Sequence, residues 1–560
     1  MKKIYLFTML MLVTFTGFAQ FTTTTYRGAF APAPAAMWTN DWTEFDPQTK
    51  VYPTPNVIVT ANITANTTWT AGNTYSLGGQ IYVKNNATLT IEAGVVIASN
   101  AAGSGLFVTK GAKLIAEGTV TSPIVFTSSN SVGNRAAGNW GGIILLGKGA
   151  YNINNGVNNI EGITVSTDTE FGGGLTPDDN DNSGSLKYVR IEYAGYNFGV
   201  NQEINGLTMG AVGSGTTIDY VQVSFCNDDS FEWFGGAVNC SHLVAYRGVD
   251  DDFDTDNGFS GKVQFCLAIK QPSVADISDS NCFESDNNSG STNGTKFTSA
   301  IFSNCTLIGP SYRSTLPNGG TLAARHRRGA HLRRNTQLQV YNSIFMDFVD
   351  GLVVDGLTTE NNAINGTLKF NRNILAGIST NAKILQVGSN AVTGPPAIPN
   401  TATNTSGINP SFNLTTWFAA GNNTGFATPI TNAGLLTAPY NLTDGSIYTG
   451  LDYRPATGSI ALSGADFSTL SADSFASNAE FSLKVYPNPS SDSFKFDYVS
   501  SSNEKVNVTA YDITGKTVKS IAVDYAEINE QTIGNDFTPG VYVIALKQGD
   551  INKTVKVIKK

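Results

Sequence analysis

The densest run of side chains that could bind a cation or transfer a proton is DDDFDTDNGFSG, residues 250–261. Carboxylates at alternate positions point to one side of a β-strand, and Ca²⁺ prefers oxygen ligands of this kind. The run is not an EF-hand loop, because Asn257 replaces the required glycine and Val263 the required glutamate. We therefore predict a calcium site, with solvated or arginine-paired carboxylates as the alternative. The predicted ligands are Asp250, Asp252, Asp254 and Asp256.

A second run, RHRRGAHLRR, concentrates positive charge at residues 325–334. In a calcium-assisted polysaccharide lyase, a cation neutralises a uronate carboxylate and an arginine or lysine abstracts the adjacent proton. The arginines could also bind an anionic glycan, with Arg327 and Arg333 as candidate ligand-binding residues, or simply offset the acidic run. The sequence favours no catalytic residue and favours binding over catalysis. The bases that a lyase would need come from Arg325, Arg327, Arg328, Arg333 and Arg334.

Trp233 is the third candidate for ligand binding, since an exposed indole could stack on a sugar ring. It lies two residues after Phe231, so both would share one side of a regular strand. That spacing favours an interior position for Trp233. A turn that exposes the ring would make it a binding residue.

The elements that must position these residues are repeats. The segment IYVKNNATLTIEAG (81–94) matches LFVTKGAKLIAEG (106–118) at an offset of 25 residues. The segment NDDSFEWFGG (227–236) matches VDDDFDTDNG (249–258) at an offset of 22, and CFESDNN (282–288) is a third copy. Such repeats, made of short alternating strands and Gly/Asn turns, predict an all-β fold, a right-handed parallel β-helix of roughly 12–16 coils.

Composition changes divide the chain into regions. Insertions in a solenoid tend to emerge as loops on one side, often the binding side. The predicted regions are a signal peptide at 1–20, an N-terminal segment or cap at 21–60, a β-helix body at 61–461 with insertions at 151–183 and 309–335 and a looser part from about 377, a linker at 462–480, and a last domain at 481–560.

Charge and hydropathy exclude two classes of partner. A net charge of −9 and a pI near 5.0 argue against nucleic acid. No apolar run after residue 20 is long enough for transmembrane insertion. The predicted leader makes disulfides permissible, but buried thiols explain the cysteines equally well, and the spacing fixes no connectivity. The cysteines are Cys226, Cys240, Cys266, Cys282 and Cys305.

The last eighty residues carry a sequence of motifs: VYPNPSSDSF (485–494), YDITGK (511–516), GVYVIAL (540–546) and the closing KVIKK. They predict about seven short strands in a small antiparallel sandwich. In order and spacing they resemble the type A C-terminal sorting domain of type IX secretion cargo from Bacteroidetes. The resemblance implies partners, namely the outer-membrane translocon and its shuttle and attachment machinery. It also implies export to the cell surface or the medium.

The middle of the chain shows a looser resemblance. GNWGGIILLGKG (138–149), DNSGSLKYVRIEYAG (181–195), DDSFEWFGG (228–236) and GLDYRPATGS (450–459) are similar to bacterial surface β-helix proteins of uncharacterised function. That similarity implies the fold and export but no activity. We expect a secreted or cell-surface protein that binds polysaccharide or another surface ligand, with a calcium-assisted polysaccharide lyase as the alternative.

Overall fold

The computed structural model describes most of the chain after the predicted leader. Contacts divide the chain into two units, Met1–Asp466 and Phe467–Lys560. The predicted signal peptide, part of the predicted linker and parts of the looser region lie outside the described residues. The described residues are 21–199, 204–316, 320–378, 384–388, 406–425, 430–440, 450–470, 481–500, 504–548 and 551–560.

The first unit is a parallel β-helix with three sheets, here called A, B and C. Sheet A has ten parallel strands, one from each successive coil. Alternate residues along them pack in the interior, and the residues between these face outward. Its strands are Gln80–Val83, Gly105–Val108, Ile143–Leu146, Leu207–Gly210, Phe231–Phe234, Phe253–Asp256, Phe283–Ser285, Arg328–Leu332, Asp350–Asp355 and Leu385–Gly388.

Sheets B and C share four long strands that bend from one sheet into the other: Gly184–Glu192, Thr217–Ser224, Asn239–Tyr246 and Lys262–Ile269. Sheet B also contains Thr67–Trp69, Thr88–Ile91, Lys113–Glu117, Ile301–Ser303, Gln339–Tyr341 and Lys369–Asn371. Sheet C also contains Val57–Val59, Thr74–Leu77, Val96–Ser99, Ile124–Ser128, Thr306–Ile308, Ile344–Met346 and Ile374–Ala376.

The bend within each long strand is made by one residue in the left-handed region. Tyr188, Tyr220, His242 and Phe265 have φ angles of 51°, 55°, 51° and 62°. A single residue of this conformation turns the strand while leaving both halves free to pair. The rings of these four residues stack in order, with centroid distances of 4.5 Å, 4.1 Å and 5.2 Å. The corner is therefore an aromatic column that runs across the coils.

The predicted register is confirmed. Ile81 pairs with Leu106, and Phe231 with Phe253 and then Phe283. Sheet A has ten strands and sheet C eleven among the described residues, against the roughly 12–16 coils predicted before insertions are subtracted. Insertions and the less regular C-terminal part take up the remaining length.

The N-terminal segment lies along the outer side of sheet C. Backbone N–H of Thr22 donates to Gln264 (2.9 Å), and Tyr52 donates to Glu192 (2.9 Å). Between these ends, Phe30 and Trp42 are buried against outward apolar side chains of the sheet. The segment thus completes a second apolar core outside the coils.

The two predicted insertions differ. Residues 151–171 fold over sheet A, where Tyr151 and Phe171 cover Phe107 and Ile144. The second insertion ends earlier than predicted, because Arg328–Leu332 is a strand of sheet A and not part of a loop.

The remaining elements are short. They are the strand pairs Asn158–Asn159 with Glu170–Phe171 and Leu436–Ala438 with Asp452–Pro455, the helices Leu357–Ile364 and Leu414–Ala420, and short 3₁₀ turns at Asn154–Gly156, Arg313–Thr315, Ile460–Leu462 and Tyr525–Glu530.

The second unit has seven strands in two antiparallel sheets, as predicted. Alternate side chains, among them Phe496, Val508 and Ile544, form a core of its own. Among the described residues of both units, no helix is long and apolar enough to cross a membrane. The strands are Phe481–Tyr486, Phe494–Ser500 and Thr532–Ile533 in one sheet and Val506–Asp512, Thr517–Val523, Gly540–Gln548 and Ile551–Lys559 in the other.

Candidate functional site: the acidic face of sheet A

The outward side of sheet A carries polar side chains in register. Phe231, Phe253 and Phe283 face the interior, so their neighbours in the strand face outward. One outward position therefore runs across successive coils as a column of ionisable groups. Its members are Glu232, Asp254, Glu284 and His331.

A second column lies at the start of the same strands and forms a hydrogen-bonded ladder. Asp229 accepts from the backbone N–H of Asp251 (2.9 Å), and Asp251 accepts from the backbone N–H of Asn281. Asn281 in turn accepts from Arg328 (3.2 Å). The ladder fixes each side chain to the next coil.

Seven carboxylates of two successive coils form what we call the acidic face: Asp228, Asp229, Glu232, Asp250, Asp251, Asp254 and Asp256. Burial raises the pKa of Asp229 and of Glu232 well above the ordinary value, and neighbouring carboxylates raise each further. Burial also raises the pKa of Asp251 to about 7 and that of Asp256 to about 8. The seven carboxyls therefore cannot all be ionised near neutral pH unless a bound cation or another positive group compensates their charge.

Two groups within the acidic face fit the ligand chemistry of a divalent cation. Asp228, Asp229 and Asp250 have carboxylate oxygens within 4.8 Å of one another, and so do Asp229, Glu232 and Asp254. One oxygen of Asp254 is inaccessible and accepts no hydrogen bond. Carboxylate oxygens grouped in this way suit Ca²⁺. The predicted Asp250 and Asp254 belong to these groups, and Asp256 lies at the next outward position of the same strand.

Asp252 lies apart from the predicted calcium ligands. It is fully buried, and its carboxylate is 3.4 Å from the Lys270 ammonium, which is itself only 1% exposed. Burial raises the pKa of Asp252 to about 6, although Lys270 acts in the opposite direction. Lys270 also donates to the backbone carbonyl of Asp250. The pair thus anchors the start of the strand that carries the acidic face.

Replacing Lys270 by methionine should destabilise the body, because the Asp252 carboxylate would stay buried without its partner. We expect the free energy of unfolding to fall by about 3–5 kcal/mol at neutral pH, measured by denaturant titration. Lys270→Met combined with Asp252→Leu should recover most of the loss. Lys296→Met is the matched control, since its partner Asp179 is 41% exposed and such a pair contributes only about 0–1 kcal/mol. A single variant as stable as the parent would contradict this account.

The coil beyond the acidic face is basic, and its arginines are already paired. Asp279 lies 3.0 Å from Arg325, 3.1 Å from Arg327 and 3.9 Å from Arg328. Arg334 pairs with Asp286 at 2.6 Å. The predicted bases are therefore brought to the same face as the acids, but in ion pairs of their own.

Arg333 lies at the boundary between the acidic and the basic coils. It pairs with both Glu284 and Asp286. Burial opposes ionisation of Glu284, yet Arg333, with His331 and Arg328, lowers the pKa of that carboxyl to about 2. The two carboxylates in turn raise the pKa of Arg333 well above its ordinary value. Arg333 is consequently a fixed positive charge beside the acidic face.

Trp233 was the candidate for ligand binding that depended on a turn exposing its ring, and the structure places it in the interior instead. Its ring is fully buried and stacks with Phe259 at 5.2 Å and Phe231 at 6.1 Å. Strand alternation places it on the inward side with Phe231, as the two-residue spacing indicated. The strand does not turn there, so the ring never reaches the surface.

His331 is the site residue that sequence reasoning missed. It is 1% exposed and lies between Glu284 (3.5 Å) and Asp355 (3.3 Å). Its register partner Glu284 is 47 residues earlier, because an insertion separates the two strands. The apolar alternation of Ala330 and Leu332 around it was the available signal for a strand.

All five cysteines are free and buried. Cys226, Cys240, Cys266, Cys282 and Cys305 belong to the interior core of the coils. They therefore contribute to packing as small apolar side chains.

One wall beside the acidic face comes from the first insertion. A cavity of about 300 Å³ is lined by Tyr151, Glu161 and Phe171 of the insertion and by Phe234 and Asp256 of sheet A. Asp256 thus belongs both to the acidic face and to this cavity. The recess therefore meets the acidic face at this residue.

Together, the coils and the second unit define an exported parallel β-helix protein. Residues 61–426 match the family model of the pectate-lyase-like beta helix domain, and the chain belongs to that family. Residues 484–560 match the secretion system C-terminal sorting domain. That domain directs the protein through the type IX secretion machinery to the cell surface or the extracellular space. No curated protein matches the chain.

Proposed function

We propose that the protein binds acidic polysaccharide at the acidic face, through Ca²⁺ held by its carboxylates. The observation that supports this most directly is uncompensated charge. Asp229, Glu232 and Asp254 have no salt-bridge partner among the described residues, while the neighbouring coil is fully paired. A bound cation would neutralise the cluster and leave coordination positions for a ligand carboxylate.

The paired arginines favour binding over β-elimination. A lyase needs a base that can lose its proton near neutral pH. Arg333 is held in its charged form by two carboxylates, and Arg325 and Arg327 are occupied by Asp279. One observation favours a calcium-assisted lyase as the second candidate: burial lowers the pKa of Arg328 on the same face. Arg328 is only 2% exposed, so a substrate would have to reach a buried guanidinium.

The test is binding of polygalacturonate and alginate to the full chain, with calcium and with chelator. We expect retention on the polymers in calcium and loss of retention in chelator. Glu232→Gln with Asp254→Asn should weaken binding at least about tenfold, because these near-isosteric changes remove two ligand charges. Asp179→Asn, which removes an acid elsewhere in the body, should bind like the parent.

Ultraviolet absorbance in the same mixtures separates the two candidates. Unsaturated product that forms with calcium and is lost in Arg328→Lys would establish the lyase. Calcium-independent binding, or no binding to either polymer, would refute the proposal.

A further inference from the structure

A second recess lies on a different side of the coils from the acidic face. A cavity of about 720 Å³ opens on the outer side of sheet B, across the first halves of three long strands. Its floor includes Thr217, Asp219, Asn239 and Ser241. The volume is within the range of about 300–1,000 Å³ typical of small-molecule sites. None of its lining residues belongs to the acidic face.

The chemistry of this recess is that of amides and hydroxyls. Asn180, Asn182 and Ser214 form one side, and Thr217, Asn239 and Ser241 supply more groups of the same kind from the floor. Such groups act as both donors and acceptors, as sugar hydroxyls do. The lining can therefore satisfy a ligand that presents many hydroxyls at close spacing.

Among the described residues that line the recess, Asp219 is the one carboxylate, and its contacts fix its orientation. Its Oδ1 accepts from the Ser241 hydroxyl at 2.9 Å and lies 2.8 Å from Nδ1 of His242. Its Oδ2 accepts no hydrogen bond from the residues that the structure describes, and the side chain is 24% exposed. A fixed carboxylate with an available oxygen is a strong acceptor for a ligand hydroxyl.

The charge of the recess is balanced, unlike that of the acidic face. Its ionisable groups are Asp219, His242 and Lys262, and Lys262 lies over the ring of Phe21 (5.8 Å). The balance means that the site offers no net attraction to an acidic or a basic ligand. The charge of the recess therefore favours an uncharged ligand.

The site is also held rigid from two directions. The ring of His242 stacks on Tyr220 at 4.1 Å and on Phe265 at 5.2 Å. At the opposite edge, Gln264 exchanges two hydrogen bonds with the backbone of Thr22, at 2.9 Å and 2.7 Å. A site that needs no ordering on binding loses less affinity to conformational entropy.

We propose that the recess on sheet B is a second binding site, for a neutral oligosaccharide, independent of the acidic face. Hydroxyl groups of two or three sugar units would replace water on the amides and hydroxyls of the lining, and Asp219 would accept from one of them.

The test is calorimetric titration of the full chain, in chelator, with cellotriose, xylotriose, maltotriose, mannotriose and chitotriose. Chelator removes any calcium-dependent contribution of the acidic face. We expect at least one of these trisaccharides to bind. Thr217→Trp should abolish that binding, because Thr217 is exposed on the floor and an indole there fills the recess. Asp219→Ala should weaken it at least tenfold.

The control variant is Asp168→Asn, a surface acid that belongs to neither site and should bind the trisaccharide like the parent. Thermal melts establish that each variant is folded. If Asp219→Ala fails to fold, Thr217→Trp still tests the proposal. Three results would overturn the proposal: no binding by any of the five sugars, unchanged binding in Thr217→Trp, or tighter binding of trigalacturonate than of every neutral trisaccharide.

Discussion

In chelator, the protein should be more stable at pH 5 than at pH 8, which is the reverse of what paired carboxylates produce. An acid whose pKa is raised on folding binds more protons in the folded state, so the free energy of unfolding falls as pH rises. For Asp251 and Asp256 the fall extends from about pH 4, where the unfolded carboxyls ionise, to about 7 and about 8. Glu284 acts in the opposite direction but only below about pH 4, since its pKa is lowered to about 2.

The expected effect is large because several raised groups lie together. One unit of pKa shift corresponds to about 1.4 kcal/mol, so Asp251, whose pKa is about 7, contributes about 3 kcal/mol of the loss above pH 5. We expect a loss on the order of 5 kcal/mol between pH 5 and pH 8, seen as a fall in Tm of about 5–10 °C. Calcium at a hundred times its Kd should restore about 2.7 kcal/mol at pH 8.

Differential scanning calorimetry at both pH values, with calcium and with chelator, measures these changes. Glu232→Gln with Asp254→Asn is the matched variant, and it should reduce both the pH dependence and the effect of calcium. Stability that rises toward pH 8 in chelator would show that the carboxylates are already neutralised within the protein. A calcium effect that persists in the double variant would place the cation elsewhere.

Deletion of residues 481–560 should abolish surface display of the body. The body keeps its own core without them, since the second unit packs around a separate set of residues. We therefore expect a folded body that stays in the periplasm, with a loss of surface signal of at least about tenfold. Protease accessibility on intact cells, compared with the same assay after lysis, measures it.

A transplant provides the control for that deletion. Residues 481–560 placed after an unrelated exported carrier should bring the carrier to the surface. Surface display of the truncated body, or retention of the transplanted carrier, would contradict the assignment of the sorting role to this segment.

Much of the architecture could be predicted because the coils repeat. Offsets of 25 and 22 residues give the strand pairing directly, and the paired phenylalanines mark the interior. The acidic face follows from the same register, since Asp254 falls beside Glu232. The C-terminal unit is predictable for a different reason, because its strands pair with near neighbours in the chain.

The rest depended on contacts that no short repeat contains. Asp252 occupies the strand start and turns toward Lys270, which period-two alternation does not describe. Arg328 and His331 lie on a strand that follows an insertion. The insertion changes the offset to the previous coil, so the repeat did not predict this strand. The placement of the N-terminal segment involves partners more than two hundred residues away, such as Gln264 for Thr22.

That segment sets an order on folding. The backbone N–H of Thr22 donates to Gln264, and that of Gly28 donates to the backbone carbonyl of Asn342. Both acceptors belong to late coils, so these bonds can form only after those coils have folded. Contacts of such sequence separation close slowly, because the loop entropy is lost before the contact forms. The outward apolar side chains of sheet C therefore stay exposed to solvent until most of the coils have formed. We therefore expect residues 21–56 to dock late in folding and to detach early in unfolding.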